Sequence, residues 1–453
     1  MNASPAKYPD VTNQLAQYVL ATRAEDLPAH VRTEGTRSLL NVLGCSIGGA
    51  RHDAVNSAET ALAGTTGSGP ATVFGRGHQA DILHATLINC LAASVYGYDD
   101  THAQAIVHPS GPVMAAVLAL CERMPVSGRD ALTAFALGVE INCRLSKAIS
   151  IAPAKSPVAW SQTGITCAIG TALAAGKLLG LDAAHLRAAV GIAASQCAGI
   201  RSLHGTMCTA LMPAHAGQTG LRAALLAQAG FTGGNTALEG HNGYFDVFGT
   251  NPDMQALIGN LGSRFELLKN TYKAHPGGIV IHPILDACLL LLREHALKPE
   301  QVEGIEVYAS ANAMALCNRP HPKDEFEAHV SMHHWVSATL HRGVTGVEVM
   351  NEACVHDPAI SAFQDRIKAV EDNALMTDAA KMSVTLKDGR VLKVHIEHCL
   401  GSASNPMPDA QLDAKFSAQS VPVVGAERTR KLIDLCRGID GLADAGVIAK
   451  TAA

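Results

Sequence analysis

The stretch "DAAHLRAAVGIAASQCAGI", residues 182–200, decides the class of the first half of the chain. Asp182 is placed to cap a helix, and Leu186, Val190 and Ala193 follow at three- and four-residue steps, which puts them on one helix face. The same texture, rich in Ala and Leu and poor in strand-like alternation, runs through the first 230 or so residues. Only 4 % of the residues are aromatic, so small side chains dominate the contacts and helix axes can approach closely. Past about residue 265 the texture changes. "VEGIEVYAS" (302–310) reads as a strand, and "KMSVTLKDGRVLKVHIEH" (381–398) as two strands joined at Asp388-Gly389, a strong hairpin signal. The helical run "HPILDACLLLLREHAL" precedes them, and after Gly401 a loop leads to the helical "AERTRKLIDLCRGI". The expected architecture is mainly α with an α+β second domain. Residues 1–265, completed by 402–453, form the helical domain, and residues 266–401 the smaller α+β domain.

With 453 residues, 48 % of them hydrophobic and 17 % charged, the chain can bury a large core. The formal net charge is −5 and no basic run occurs, which argues against nucleic acid or an anionic membrane as partner. No basic start leads into an apolar segment and no apolar run approaches a membrane span, so the expectation is a cytoplasmic protein with a small-molecule partner. Twelve cysteines without a CxxC pair exclude a zinc ribbon or a disulfide framework and read as buried thiols.

The polar residues are concentrated in a few places. "YGYDDTHAQAIVHPSGP" (96–112) gathers Asp99, Asp100, Thr101, His102, His108 and Ser110. A helix is predicted to start at Ser110 with Pro112 in its first turn, where a missing N–H costs nothing. Free amides and the helix dipole there favour an anion, and the preceding acids and imidazoles are of general acid/base type. The alternative is that Ser110 merely caps, the aspartates are solvated and His108 is a satisfied histidine. In "NTYKAHPGGIVIHPILDA" (270–287), Lys273 stands among Tyr272, His275 and His282, a setting for a base or a carboxylate clamp, or else a surface lysine beside a glycine turn.

"EAHVSMHHWV" (327–336) places His329 and His333 four apart on a common helix face, with His334 adjacent. No HExxH glutamate lies between them, so pocket lining is expected here and no metal. "RSLHGTMCTALMPAHAG" (201–217) carries Arg201, His204, Thr209 and His215 between helical runs, either as pocket lining or as an ordinary connection. The glycine-rich "GTTGSGPATVFGRGH" (64–78) lacks a P-loop lysine and a strand–GxGxxG–helix context, which excludes nucleotide binding.

These motifs, together with "TGITCAIGTALAAGKLLGLD" (163–182), "AALLAQAGFTGGNTALEGHNG" (223–243) and "SASNPMPDAQLDAKF" (402–416), resemble the MmgE/PrpD family over nearly the whole chain. That family includes 2-methylcitrate dehydratase, cis-aconitate decarboxylase and iminodisuccinate epimerase. The resemblance implies a helical domain built from both chain ends, a smaller α+β domain, a homodimer, and no metal or organic cofactor. It places the DDT motif at Asp99, Asp100 and Thr101, the HPSG histidine at His108, and the small-domain lysine and histidine at Lys273 and His282. Gly97 stands where decarboxylase members carry an aspartate, Ser161 where they carry a histidine, Thr209 where they carry a lysine, and His334 where they carry a tyrosine.

The implied chemistry is proton transfer beside a carboxylate of a small di- or tricarboxylate. His108 and Lys273 are the proton-transfer pair, in either order, with Asp100 tuning an imidazole and Thr101 bonding substrate. Asp99, His102, Ser110, Ser161, Arg201, Thr209, Tyr272, His275, His282 and His334 line the substrate. A cofactor-independent lyase of dehydratase or decarboxylase type is the leading expectation, with an epimerase or isomerase as the alternative. A non-catalytic family member and a metal hydrolase complete the set.

Overall fold

The computed structural model describes residues 8–102, 104–157 and 159–453, in two compact units. The first takes the chain through Val95, resumes for Asp99–Asn270 and is completed by Pro408–Ala453. The second holds Thr271–Met407 together with the short excursion Tyr96–Tyr98, which composition gave no sign of. The family's mainly α architecture with a smaller α+β part is the one observed.

The first unit is helical. Its principal helices are α1 (Ala29–Gly49), α2 (Ile82–Ser94), α3 (Ser110–Arg123), α4 (Gly128–Ser150), α5 (Gln162–Leu178), α6 (Ala183–Ala194) and α7 (Cys208–Gln228). Asp182 caps α6 by accepting from the His185 amide, as its spacing predicts. Small residues set how closely the helices approach. A Cβ on Gly170 of α5 would lie 2.4 Å from the Gly138 carbonyl of α4, and one on Gly220 of α7 would lie 2.6 Å from the Ala168 carbonyl of α5. Only glycine permits backbones to come this near. At the end of the glycine-rich segment 64–78 the chain forms a short hairpin, Ala71–Val73 with His78–Ala80.

The second unit packs helices α8 (His282–His295) and α9 (Met332–Arg342) with a four-stranded sheet of β1 (Val302–Ala309), β2 (Ile367–Glu371), β3 (Ala380–Leu386) and β4 (Val391–Ile396). The strand order is β2-β1-β3-β4, parallel between β1 and β2 and antiparallel elsewhere. Strand β3 alternates strictly, burying Ala380, Met382, Val384 and Leu386. In β1 the register shifts between Val302 and Gly304, so Val302 and Ile305 both face inward although they are three residues apart. Ile284, Leu291, Trp335 and Val336 complete this core from the helices. The predicted hairpin at Asp388-Gly389 joins β3 to β4, with Gly389 at φ +86 as the turn requires.

The chain then returns to the helical unit as α10 (Asp409–Val424), α11 (Ala426–Arg437) and α12 (Gly446–Thr451). Phe416 of α10 lies where a side chain on Gly44 of α1 would stand, and Lys415 Nζ donates to Asn41 Oδ1 at 2.7 Å. Among the described residues, no helix is long and apolar enough to cross a membrane.

Candidate functional site

In the helical unit, the segment after α2 doubles back on itself, with the His102 amide donating to the Val107 carbonyl at 3.0 Å. Helices α4 and α5 fix the end of this loop. The His108 amide donates to Thr163 Oγ1 at 3.0 Å, and Asn142 Nδ2 donates to the Pro109 carbonyl at 3.1 Å. The His108 ring is thereby set against the DDT motif. Its Nδ1 lies 3.0 Å from the Asp100 carbonyl, 3.3 Å from Asp99 Oδ1 and 3.2 Å from Thr101 Oγ1. A carbonyl and a carboxylate oxygen accept only, so the network assigns the proton to Nδ1. The lone pair then sits on Nε2, on a ring that is 32 % exposed.

Asp100 is fully buried. Its Oδ2 accepts from Ser110 Oγ and Asn270 Nδ2, while Oδ1 has no hydrogen-bond partner among the described residues. Burial pushes this carboxyl up to about 6, with Asp99 adding to the rise and the two hydrogen bonds opposing it. Helix α3 does begin at Ser110, but the capping position belongs to Pro109 and the Ser110 side chain makes no cap. The Ser110 hydroxyl is fully buried and donates to Asp100, so of the helix start expected to hold a carboxylate the side chain is engaged within the protein.

His102 departs from its expected substrate-lining role for a comparable reason. It is fully buried, with Nε2 3.2 Å from Glu266 Oε2 and Nδ1 accepting from the Ala105 amide. Glu266, which sequence reasoning missed, also meets Lys147 Nζ at 2.9 Å and Lys269 Nζ at 3.2 Å. Burial alone would raise its carboxyl, but the hydrogen bonds from His102 and Lys147 prevail and hold it well below the usual range.

Ser161 caps α5, accepting from the Gly164 amide. Thr209 closes the 203–209 turn, accepting from the Gly205 amide at 3.1 Å and donating to the Leu203 carbonyl at 3.4 Å. Both hydroxyls are thus taken up by backbone. Arg201 and His204 lie in the preceding short turn, and His215 sits inside α7.

In the second unit, Lys273 is almost fully buried and its Nζ donates to the Gly97 carbonyl at 2.6 Å. The 96–98 excursion runs beside it, with Tyr98 Oη donating to the Ala274 carbonyl and the Gly277 amide to the Tyr96 carbonyl. Tyr272 is 3 % exposed. His275 is held at both ring nitrogens, by Asp286 Oδ1 at 2.9 Å and Thr345 Oγ1 at 2.7 Å, and its ring meets that of His282 edge to face. Asp286 and Thr345 are further partners that no spacing in the sequence pointed to.

His329 and His333 do not share a helix face. The chain breaks between Glu325–Ala328 and α9, where Ser331 caps the new helix by accepting from the His334 amide. The rings go to separate partners, His333 to Asn318 Oδ1 at 2.8 Å and His334 to the Val349 carbonyl at 2.7 Å, and burial lowers the basicity of both. His334 is fully buried in this way, so its ring faces the core rather than a ligand. Among the described residues no group of His, Cys, Asp or Glu is arranged to hold a metal ion.

Comparison with known proteins matches the MmgE/PrpD N-terminal domain to residues 13–257 and the MmgE/PrpD C-terminal domain to residues 275–439. The chain belongs to the MmgE/PrpD family. Cis-aconitate decarboxylase of Homo sapiens is 26 % identical over 456 residues, covering 97 % of this chain and 93 % of that protein. Cis-aconitate decarboxylase of Mus musculus is also 26 % identical, over 457 residues with the same coverage. Cis-aconitate decarboxylase of Aspergillus terreus is 23 % identical over 475 residues, covering 96 % and 94 %. At the coarse level these MmgE/PrpD relatives support an enzyme, of the lyase type that dehydratases and decarboxylases represent.

Proposed function

We propose that this MmgE/PrpD protein is a cofactor-independent lyase that makes or quenches carbanion character next to a carboxylate of a small di- or tricarboxylate. The observation that carries the reading is the His108 imidazole, protonated at Nδ1 by its hold on the DDT segment and open at Nε2. Nε2 takes the proton from the carbon next to a carboxylate, and the charge that develops on the ring is met by Asp99. Departure of hydroxide then completes a dehydration. In a decarboxylation carbon dioxide leaves first, and an imidazolium that has already taken a proton from water at Nε2 delivers it to the carbanion.

Lys273 is proposed as the second proton-transfer or carboxylate-holding group, a role the family resemblance gives it and its burial suits. Two such groups also suit an epimerase, which returns the proton to the opposite face, and this is the second reading. Domain limits at 1–265 with 402–453 and at 266–401, a cytoplasmic location and a homodimer are part of the same proposal. Exposed Ile200, Leu203, Met207 and Leu211, spaced three and four residues apart, supply apolar surface for a second copy.

Proton NMR in D₂O with methylcitrate, aconitate and iminodisuccinate tests the reading. Deuterium uptake with loss of water or carbon dioxide is the expected result. Uptake with stereochemical scrambling alone establishes the epimerase, and no reaction together with no ligand-induced rise in melting temperature overturns both.

A further inference from the structure

Arg201 is a half-buried guanidinium without a counter-charge. Among the described residues its buried Nε has no hydrogen-bond partner and no Asp or Glu pairs with it. The two carboxylates of the DDT motif are committed elsewhere, Asp99 to His108 and Ser94, and Asp100 to Ser110 and Asn270. Withdrawing a guanidinium from water without an anion costs free energy, so a fold that keeps one there gains when a ligand supplies the charge.

The position of Arg201 is fixed by backbone. Its amide donates to the Ala159 carbonyl at 2.7 Å, and the Ser161 amide to the Gly199 carbonyl at 3.0 Å, which ties residues 199–201 to the residues leading into α5. The first turn of that helix also holds the His108 amide, through Thr163. Arg201 and the open imidazole therefore hang from the same helix end. The electrostatics agree, because partial desolvation and then the charges of Arg201 and His108 make His204 harder to protonate. Ser161 Oγ and Thr209 Oγ1 accept from the Gly164 and Gly205 amides, whereas the Arg201 guanidinium has no carboxylate partner among the described residues.

We propose that Arg201 receives a substrate carboxylate other than the one beside the reacting carbon, with the His204 imidazole flanking it. A planar carboxylate matches the guanidinium fork in two parallel hydrogen bonds, which a lysine or a lone imidazole cannot offer. The substrate then carries at least two carboxylates, and their spacing selects it. This inference rests on the reading of His108 as the proton-transfer group.

Calorimetric titration of wild type, Arg201→Gln and Arg201→Lys with tricarballylate, succinate and butyrate tests it. Wild type should bind tricarballylate at least about 30-fold more tightly than butyrate, and Arg201→Gln should lose roughly that factor in tricarballylate affinity. Arg201→Lys, which keeps the charge but not the fork, should lose about 5-fold or more, and it decides the matter if the glutamine variant does not melt cooperatively. Unchanged tricarballylate affinity in the folded variants, or no preference over butyrate in wild type, overturns the assignment.

The same samples, scored for deuterium exchange, separate the two readings. Loss of tricarballylate affinity at Arg201 without exchange on any substrate keeps the receptor and removes the role of His108. Exchange with no effect of Arg201 does the reverse.

Discussion

At the scale of single residues, the catalytic reading turns on which nitrogen of His108 is free, and two of its neighbours, the Asp100 carbonyl and the Asp99 carboxylate, only accept. His108→Ala and Lys273→Ala should each lower turnover by at least about 100-fold if each transfers a proton, and steady-state rates on the substrate found by NMR check this. A near-wild-type rate in either variant removes that residue from the reaction. Asp100 gives a prediction in pH. Its carboxyl is ordinary when unfolded and about 6 when buried, so between these values the folded state binds more protons and its stability falls as pH rises. Asp100→Asn keeps an oxygen for Ser110 and Asn270 and places a donor where Oδ1 has no partner. Relative to wild type it should gain stability from pH 4 to pH 6, by no more than about 3 kcal/mol, and then level off. Urea melts across that range decide it. The residues of the 96–112 cluster were legible because a chain with so little charge rarely crowds acids and imidazoles together. Their division of labour was not, since Ser110 serving Asp100 and His102 turning to Glu266 depend on partners 10 and 164 residues away.

Elements were the most legible level. The Asp182 cap, the Ser110 helix start and the Asp388-Gly389 hairpin are local signals, carried by a few adjacent residues, and all three are present. The expected helix through His329 and His333 fails for an equally local reason, since Ser331 is a good cap and starts a new helix between them. What joins elements was hidden. Glu266 ties α4 through Lys147 to the DDT loop through His102, from a position with no motif around it. Glu266→Gln should destabilise the protein by about 2–3 kcal/mol at pH 7, because His102 and Lys147 lose a charged acceptor. A carboxyl held below its unfolded value of 4.5 stabilises above that pH, so the deficit should shrink as pH falls below about 4.5. Equal stability of the two proteins at pH 7 would leave the network without energetic weight.

For the whole molecule, light scattering should give twice the chain mass, and a charge placed at Leu203 or Met207 should shift it toward the monomer. A monomer at tens of micromolar ends the homodimer proposal. One feature of the architecture bears on how the protein is made. Phe416 closes the face of α1 at Gly44, and the Ala452 carbonyl accepts from the Gly75 amide at 2.7 Å, so segments translated after the sheet-bearing unit seal a part translated before it. On the ribosome the helical unit waits, its α1 face bare, while more than a hundred residues of the sheet-bearing unit emerge and can fold. The smaller unit can therefore be whole while the larger is not, and the face of α1 at Gly44 stays uncovered until α10 follows.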